Sequence, residues 1–469
     1  MLTWAPHLSK KAKAKYLQIV EAIEEDIRAG MLGNGARLPP QREIANILAV
    51  DLTTVTRALN EAKRRGLIEA QKGRGTLITI PPGLDGGRQE TIHKPKLDMS
   101  MNIPPHIPSL NNYLSSTIND LLHHPHSVLD LNYQDCKGSE YDRKSALLWL
   151  RQRLGAIEFD RVLLAAGTQT ALASLCDVLF QPGAVVCTGE LTYPGFKAVA
   201  LCKGLKLIAL AMDEHGILPE AFEEGCRKHK PEALYIIPTM DNPTTATMPD
   251  ARRNALVALA RKYQVSIIED DPYSPLDTQV HTPFVVLAPE RTWYIASLSK
   301  WLTPALRIAY IVTPELKQTF HLSSLLRASS LMGSPLMAAV ASRWIREGIV
   351  ETIIREIRKE SSSRQAIART ILTDFSFAAH PEGHHLWLSL PLPWNAAEFS
   401  IYASNFGIGV VPSHVFAVGE HLPNAVRIAL GSVLNQSELK KSLQLLVELM
   451  NIGLWIDKRP SRQNRCLEK

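Results

Sequence analysis

The 469-residue sequence has little cysteine and few aromatic residues, six Cys and 6% Phe, Trp and Tyr. Its cysteines, at 136, 176, 187, 202, 226 and 466, are scattered and include no Cys-x-x-Cys pair. That excludes a disulfide scaffold or a zinc ribbon and suggests buried free thiols in a reducing compartment. No stretch reaches the ~18 apolar residues of a membrane helix, and the N-terminal residues lack the apolar core of a signal peptide. No repeat with a period of roughly 20–50 residues is visible, which excludes solenoids and propellers. His123–His126 (HisHisProHis) and the pair His384-His385 lack accompanying carboxylates at ligand spacing; they read as incidental surface histidines, and no metal is expected. What remains is ordinary globular composition, 45% hydrophobic, in a chain long enough for two or three domains.

Charge is unevenly spread. Residues 1–80 carry net +5, residues 81–455 net −2 and residues 456–469 net +3. A basic small unit ahead of a near-neutral large one fits a polyanion-binding head on a ligand-binding body. In the head, Leu17, Val20, Ile23 and Ile27 form one stripe of a helix over 13–29. A second helix is predicted over Gln41–Leu48. A third, N-capped by Asp51, runs to Arg65 and is stopped by Gly66. Two short strands, Leu67–Ala70 and Thr76–Ile80, flank a GlnLysGlyArgGly tip. Three helices and a two-strand wing make a winged helix-turn-helix. Val55, Ala58, Leu59 and Ala62 take core spacing on the third helix. Thr53, Thr54, Thr56, Arg57, Asn60, Lys63 and Arg64 lie outward or at its edges, suited to phosphates and base edges in a major groove. Arg74, between two glycines at the wing tip, can reach phosphate or the minor groove.

Residues 81–98 are rich in Pro, Gly and charge and read as a linker. Helical patterns then alternate with apolar β-rich runs: Val162–Ala165, Ala184–Cys187, Leu207–Leu210, Ala233–Ile237, Val265–Ile268, Trp293–Ala296 and Ile308–Val312. Continuous apolar strands between helices predict an α/β sheet covered on both faces. A smaller α+β unit follows from about residue 376, and residues 456–469 form a basic tail.

The ends of those strands hold the chemistry. Ser297-Leu-Ser299-Lys300, with Arg307 seven residues past the lysine, offers an amine for a Schiff base and hydroxyls with a guanidinium for a phosphate. Pyridoxal 5′-phosphate has both an aldehyde and a phosphate. The Gly167-Thr168-Gln169 turn opens a helix whose amides can hold phosphate oxygens. Tyr193 can stack on a pyridine ring. Asp270, ending an apolar strand, can pair with the ring nitrogen and keep it protonated. Asn242 and Tyr273 can share the ring's phenolate oxygen. Arg427, in AlaValArgIleAlaLeuGly, fits a substrate carboxylate.

LeuProProGlnArgGluIleAla…ThrThrValThrArgAlaLeu…GlyLeuIle…GlyArgGlyThr resembles the GntR-type winged helix-turn-helix signature, over about residues 10–80. The resemblance implies that Arg42, Thr53, Thr54 and Gly75 meet DNA; Leu52 and Thr56 stand where many members carry arginine. The order of Asn242, Asp270, Tyr273, Ser297, Lys300 and Arg307 resembles the fold-type I, aspartate aminotransferase-like enzymes, over roughly 99–455. It implies that Lys300 carries the cofactor as an aldimine, that Asp270, Asn242 and Tyr273 tune its ring, and that Arg427 holds the substrate carboxylate. Tyr133 resembles the tyrosine that reaches the neighbouring subunit's phosphate, implying a homodimer. Thr245 replaces the usual glycine after Asn-Pro-Thr. Head (1–80), linker (81–98) and body (99–455) together resemble the MocR subfamily of bacterial regulators. That implies a cytoplasmic, pyridoxal phosphate-dependent regulator of operator DNA, nucleoid-associated when bound, which answers an amino acid or amine. A working aminotransferase with an appended head, and a sensor of the cofactor itself, are the competing readings.

Overall fold

The computed structural model describes residues 14–28, 32, 38–71, 75–78, 97–123, 128–420 and 422–457. The chain divides into two compact units, Met1–Lys94 and Pro95–Lys469.

In the first unit α1 (Lys15–Arg28), α2 (Gln41–Leu48) and α3 (Leu52–Arg64) precede an antiparallel pair, β1 (Ile68–Gln71) and β2 (Gly75–Ile78). Ile19, Val20 and Ile23 of α1 meet Ile44 of α2 and the expected Val55, Ala58, Leu59 and Ala62 of α3 in one core. Leu17 is only half-buried, and the side chain of Ile27 lies outside the described residues. Asp51 takes the N-cap position of α3, but its side chain makes no capping hydrogen bond. These observations leave the winged helix-turn-helix reading intact.

The second unit is built on a seven-stranded sheet. Its strands are β3 (Val162–Ala165), β4 (Val185–Gly189), β5 (Lys206–Leu210), β6 (Ala233–Ile236), β7 (Ser266–Asp270), β8 (Thr292–Ser297) and β9 (Ala309–Val312), in the order β3-β9-β8-β7-β6-β4-β5. Every run predicted from the sequence is a strand; the inner strands are apolar because both their faces are buried, while the edge strand β5 is only partly buried. Only β9 runs antiparallel to its neighbours. This reversal matters for the site. The other six strands present their C-terminal ends at one edge of the sheet, where ligands bind in open α/β folds. β9 brings its N-terminal end, next to Arg307, to that same edge.

A four-stranded antiparallel sheet forms the smaller part: β10 (Phe377–Ala379), β11 (His385–Ser389), β12 (Val411–Pro412) and β13 (Ala425–Ala429), ordered β10-β11-β13-β12. The helices Ile349–Ile371 and Gln436–Asp457 flank it, and Met99, Leu386, Phe399, Val426 and Ile428 share its core. Residues 97–98 were expected to belong to the linker. Instead Leu97 and Asp98 pair in parallel with Ile408 and Gly409, so the chain is already folded into the second unit there. The adjoining backbone continues as a strap across the small sheet: Ala429 N donates to Met99 O at 2.8 Å.

Candidate active site

Register gathers the site. Ser297 lies beside Ala309, and Ala309 beside Ala165. The turn after β3 and the residues just before β9 therefore meet next to the end of β8. Gly167 adopts φ +87°, a conformation that favours glycine. A Cβ placed there would lie 3.2 Å from the Arg307 guanidinium carbon. The glycine thus lets a guanidinium close on the start of helix Thr168–Leu179, which is the expected phosphate cup. One detail is corrected: the Gly167 amide already donates to Ala165 O at 2.8 Å, so the free helix-opening amides are those of Thr168 and Gln169. Ser299 N donates to Ser297 Oγ at 3.3 Å. Tyr193 caps the helix Pro194–Cys202, and its ring covers Gly195 beside the Gln169 amide.

Three adjacent carboxylates, Glu269 and Asp270 at the end of β7 and Asp271 just past it, are distinguished by their partners. Glu269 accepts from the amides of Phe284 and Val285 at 3.0 and 2.9 Å. Asp271 accepts from Ser274 Oγ at 2.6 Å and from Tyr294 OH at 2.8 Å. Asp270 accepts from Tyr235 OH at 2.8 Å through Oδ2, while its Oδ1 is buried with no partner. Burial pushes the Asp270 carboxyl up to about 7, against the pull of the Tyr235 hydroxyl and Lys300. A buried acceptor left unpaired is costly. A protonated pyridine nitrogen is the group that would satisfy it.

Lys300 Nζ donates to the Asn102 carbonyl. Burial, reinforced by the Arg427 charge, lowers its ammonium to about 8, so the nucleophilic neutral amine is accessible near neutral pH. Arg427, on β13, is buried; it donates to Asn242 Oδ1 at 2.9 Å and to the Ser100 carbonyl, and its Nε is unpartnered. Tyr273 OH accepts from Asn102 Nδ2 at 2.8 Å, so Tyr273 and Asn242 are held by different partners. Thr245 sits at φ +66°, the left-handed conformation that the replaced glycine would have adopted without strain.

The expectation for His384 and His385 is corrected. Both are buried. His384 Nδ1 pairs with Ser361 Oγ at 2.9 Å and its Nε2 with the Lys300 carbonyl. His385 Nδ1 contacts Asn102 Nδ2 at 3.0 Å and its Nε2 the Asp241 carbonyl at 3.1 Å. Burial lowers them to about 4 and about 3, so they act as neutral struts behind the lysine. Among the described residues no His, Cys, Asp and Glu cluster could hold a metal. Sequence reasoning also missed Ser100, Asn102 and Tyr235. Ser100 and Asn102 lie in a stretch without periodicity, and Tyr235 reads as a core aromatic. Tyr133 is exposed.

In the head, Arg42, Thr53 and Arg57 are exposed and Thr54 is half-buried. The Arg57 guanidinium lies over the Tyr16 ring, 4.2 Å from its centroid. Thr56 Oγ1 donates to Gln41 Oε1 at 3.0 Å, linking α3 to α2. Gly75 opens β2, and Arg74 lies outside the described residues.

Residues 109–446 match the family described as aminotransferase class I and II, and residues 15–78 match the bacterial regulatory proteins of the gntR family. The chain belongs to the aminotransferase class I and II family. With its GntR head it has the MocR architecture. This MocR-type chain is 29% identical over 454 residues to the HTH-type transcriptional regulator YdeF of Bacillus subtilis, covering 96% of this chain and 97% of that one. It is 27% identical to the vitamin B6 salvage pathway transcriptional repressor PtsJ of Salmonella typhimurium, covering 90% and 95%. A kynurenine aminotransferase of Pyrococcus horikoshii, 22% identical, superposes with a TM-score of 0.72 over 79% of the MocR-type chain and 94% of its own. That likeness shows the fold.

Proposed function

We propose that this chain is a pyridoxal phosphate-dependent transcriptional regulator, in which occupancy of the Lys300 site alters how the head binds operator DNA. The observation that carries the cofactor assignment is the unpartnered, buried Asp270 Oδ1, set in one site with a depressed lysine and a glycine-cradled guanidinium. Thr168, Gln169, Ser297, Ser299 and Arg307 would hold the phosphate. Asp270 would hold the ring nitrogen's proton, and Tyr193, Asn242 and Tyr273 would border the ring. Tyr133 would reach the partner subunit of a homodimer. When bound, pyridoxal phosphate supplies an aldehyde that captures primary amines and a ring that withdraws electrons.

The strap supplies a route from site to head. Lys300, Arg427 and Tyr273 all spend hydrogen bonds on Ser100 and Asn102, a few residues past Leu97, where the chain has joined the second unit. A lysine engaged elsewhere releases the Asn102 carbonyl. A carboxylate on Arg427 competes with the Ser100 carbonyl, and charge-assisted bonds are the stronger kind. An amino acid that makes both changes loosens the strap just after the linker ends. An effector shifts the equilibrium only by its differential affinity for the two arrangements. Arg42, Thr53, Thr54, Arg57, Arg74 and Gly75 would contact the operator, in the cytoplasm.

The test is a gel shift on the DNA upstream of the protein's own gene, with pyridoxal phosphate and an amino-acid panel, alongside visible spectra. A change in operator affinity that follows the change in spectrum supports this reading. Sustained keto-acid turnover with an operator affinity indifferent to every addition would favour an aminotransferase instead.

A further inference from the structure

The third helix of the head begins with a leucine. Leu52 is the first residue of α3 and is 42% exposed, outside the core that Val55, Ala58, Leu59 and Ala62 fill. Its backbone is held. Thr56 Oγ1 donates to the Leu52 carbonyl at 2.9 Å and to Gln41 Oε1 at 3.0 Å. That clasp ties the first turn of α3 to α2 and occupies the only proton of the Thr56 hydroxyl. Thr53 is exposed, and so is Asp51, whose carboxylate makes no capping bond. The start of α3 thus presents a carboxylate, an isobutyl group and a hydroxyl, with no cation. The first cation on α3 is Arg57, five residues past Leu52 and roughly 7.5 Å further along the axis. Its guanidinium lies over the Tyr16 ring, 4.2 Å from the centroid. Arg64 is paired with Glu61 through two bonds of 2.8 Å. Arg42 belongs to α2, the helix that crosses the DNA backbone in a helix-turn-helix.

Base edges ask different things of such a surface. Guanine shows two acceptors, N7 and O6, which a cation satisfies and a carboxylate opposes. Thymine alone carries a 5-methyl group, and its adenine partner adds an amino donor. We propose that Leu52 determines operator specificity by packing on a thymine 5-methyl group, so that a T·A pair stands where the start of α3 enters the major groove. Asp51 would accept from the adenine amino group beside it. The inference rests on the reading of the head as an operator-binding module. Single exposed leucines are common on protein surfaces. This one sits at the end of the recognition helix that meets base edges, and the Thr56 clasp orders its turn before DNA arrives. A contact ordered in advance costs less on binding.

The test starts from the full-length protein, with and without pyridoxal phosphate, and selects bound sequences from a pool of random duplexes. In the selected duplex each thymine is then replaced singly by deoxyuridine, which removes the 5-methyl group and nothing else. At least one thymine is expected to respond, with affinity falling about fourfold, the worth of one methyl taken out of water. Leu52→Ala should bind the thymine and deoxyuridine duplexes alike. Its melting temperature should hold, because alanine is a strong helix former and the site is exposed. Leu52→Arg should move the selected base toward guanine. If the parent tolerates deoxyuridine at every position, the proposal is overturned while operator binding stands. Discrimination that persists in Leu52→Ala overturns it too, since the methyl then acts through DNA shape or another side chain. If no duplex is bound under either condition, the operator reading falls and the proposal falls with it.

Discussion

At the level of single residues, the buried Asp270 side chain carries the clearest pH dependence. Its carboxyl titrates near 7 when folded and near 4 when unfolded. The folded state therefore holds a proton that the unfolded state gives up between those values. The contribution of Asp270 to stability is present below about pH 4 and is lost as pH rises through about 7. Asp270→Asn removes that loss. Between pH 4.5 and 7.5 the stability difference between the variant and the parent, without cofactor, should move in the variant's favour by about 1–4 kcal/mol. Urea unfolding at the two pH values measures it, and a pH-independent difference would refute the assignment. Pyridoxal phosphate should remove part of the parent's pH slope by giving Asp270 a cationic partner. Lys300→Ala should lose the visible absorbance at about 420 nm that a lysine-bound pyridoxal gives; a band that persists would place the attachment elsewhere.

The informative element is the strap from Leu97 to Ile103. Gly431 closes the motif that carries Arg427, and a Cβ at this position would sit 1.9 Å from the Ile103 carbonyl oxygen. No side-chain rotation relieves a clash with backbone, so Gly431→Ala must displace the strap or the end of β13. We expect a loss of about 2 kcal/mol or more. Amide exchange of Ala429, whose N–H donates to Met99 O, should rise selectively. If the strap carries the signal, operator affinity in this variant should no longer respond to effector. At the other end of the site, Gly167→Ala combines a left-handed backbone with contact against Arg307. It should cost about 1–3 kcal/mol and weaken phosphate and pyridoxal phosphate binding more than it lowers melting temperature.

At the scale of the whole molecule, a head with net charge +5 over residues 1–80 precedes a body near neutrality. Operator affinity should fall steeply with salt, because each neutralised phosphate releases counterion. Arg57→Ala should weaken specific binding by about tenfold or more if Arg57 reads a base edge. If it contacts phosphate alone, all sequences should weaken alike and the salt slope should drop by about one. Fluorescence anisotropy on operator and scrambled duplexes across a salt series separates these outcomes. Sedimentation of the full chain tests the proposed homodimer, and Tyr133→Phe should weaken pyridoxal phosphate binding without changing the sedimenting mass.

The sequence by itself determined the two kinds of unit, all seven strands of the large sheet and the residues at their ends. Strands buried on both faces must be apolar without interruption, and the chemistry clusters where such runs stop. Helix periodicity likewise fixed the three-helix head and the core face of α3. Tertiary structure alone decided which oxygen of Asp270 is left unpaired, since Tyr235 arrives from a strand 35 residues earlier. It alone put His384 and His385 behind Lys300, because their Gly- and Pro-flanked sequence looks like surface. It alone turned Ser100 and Asn102 into partners of Arg427 and Lys300. Such partnerships depend on long-range backbone positions, which local periodicity does not encode.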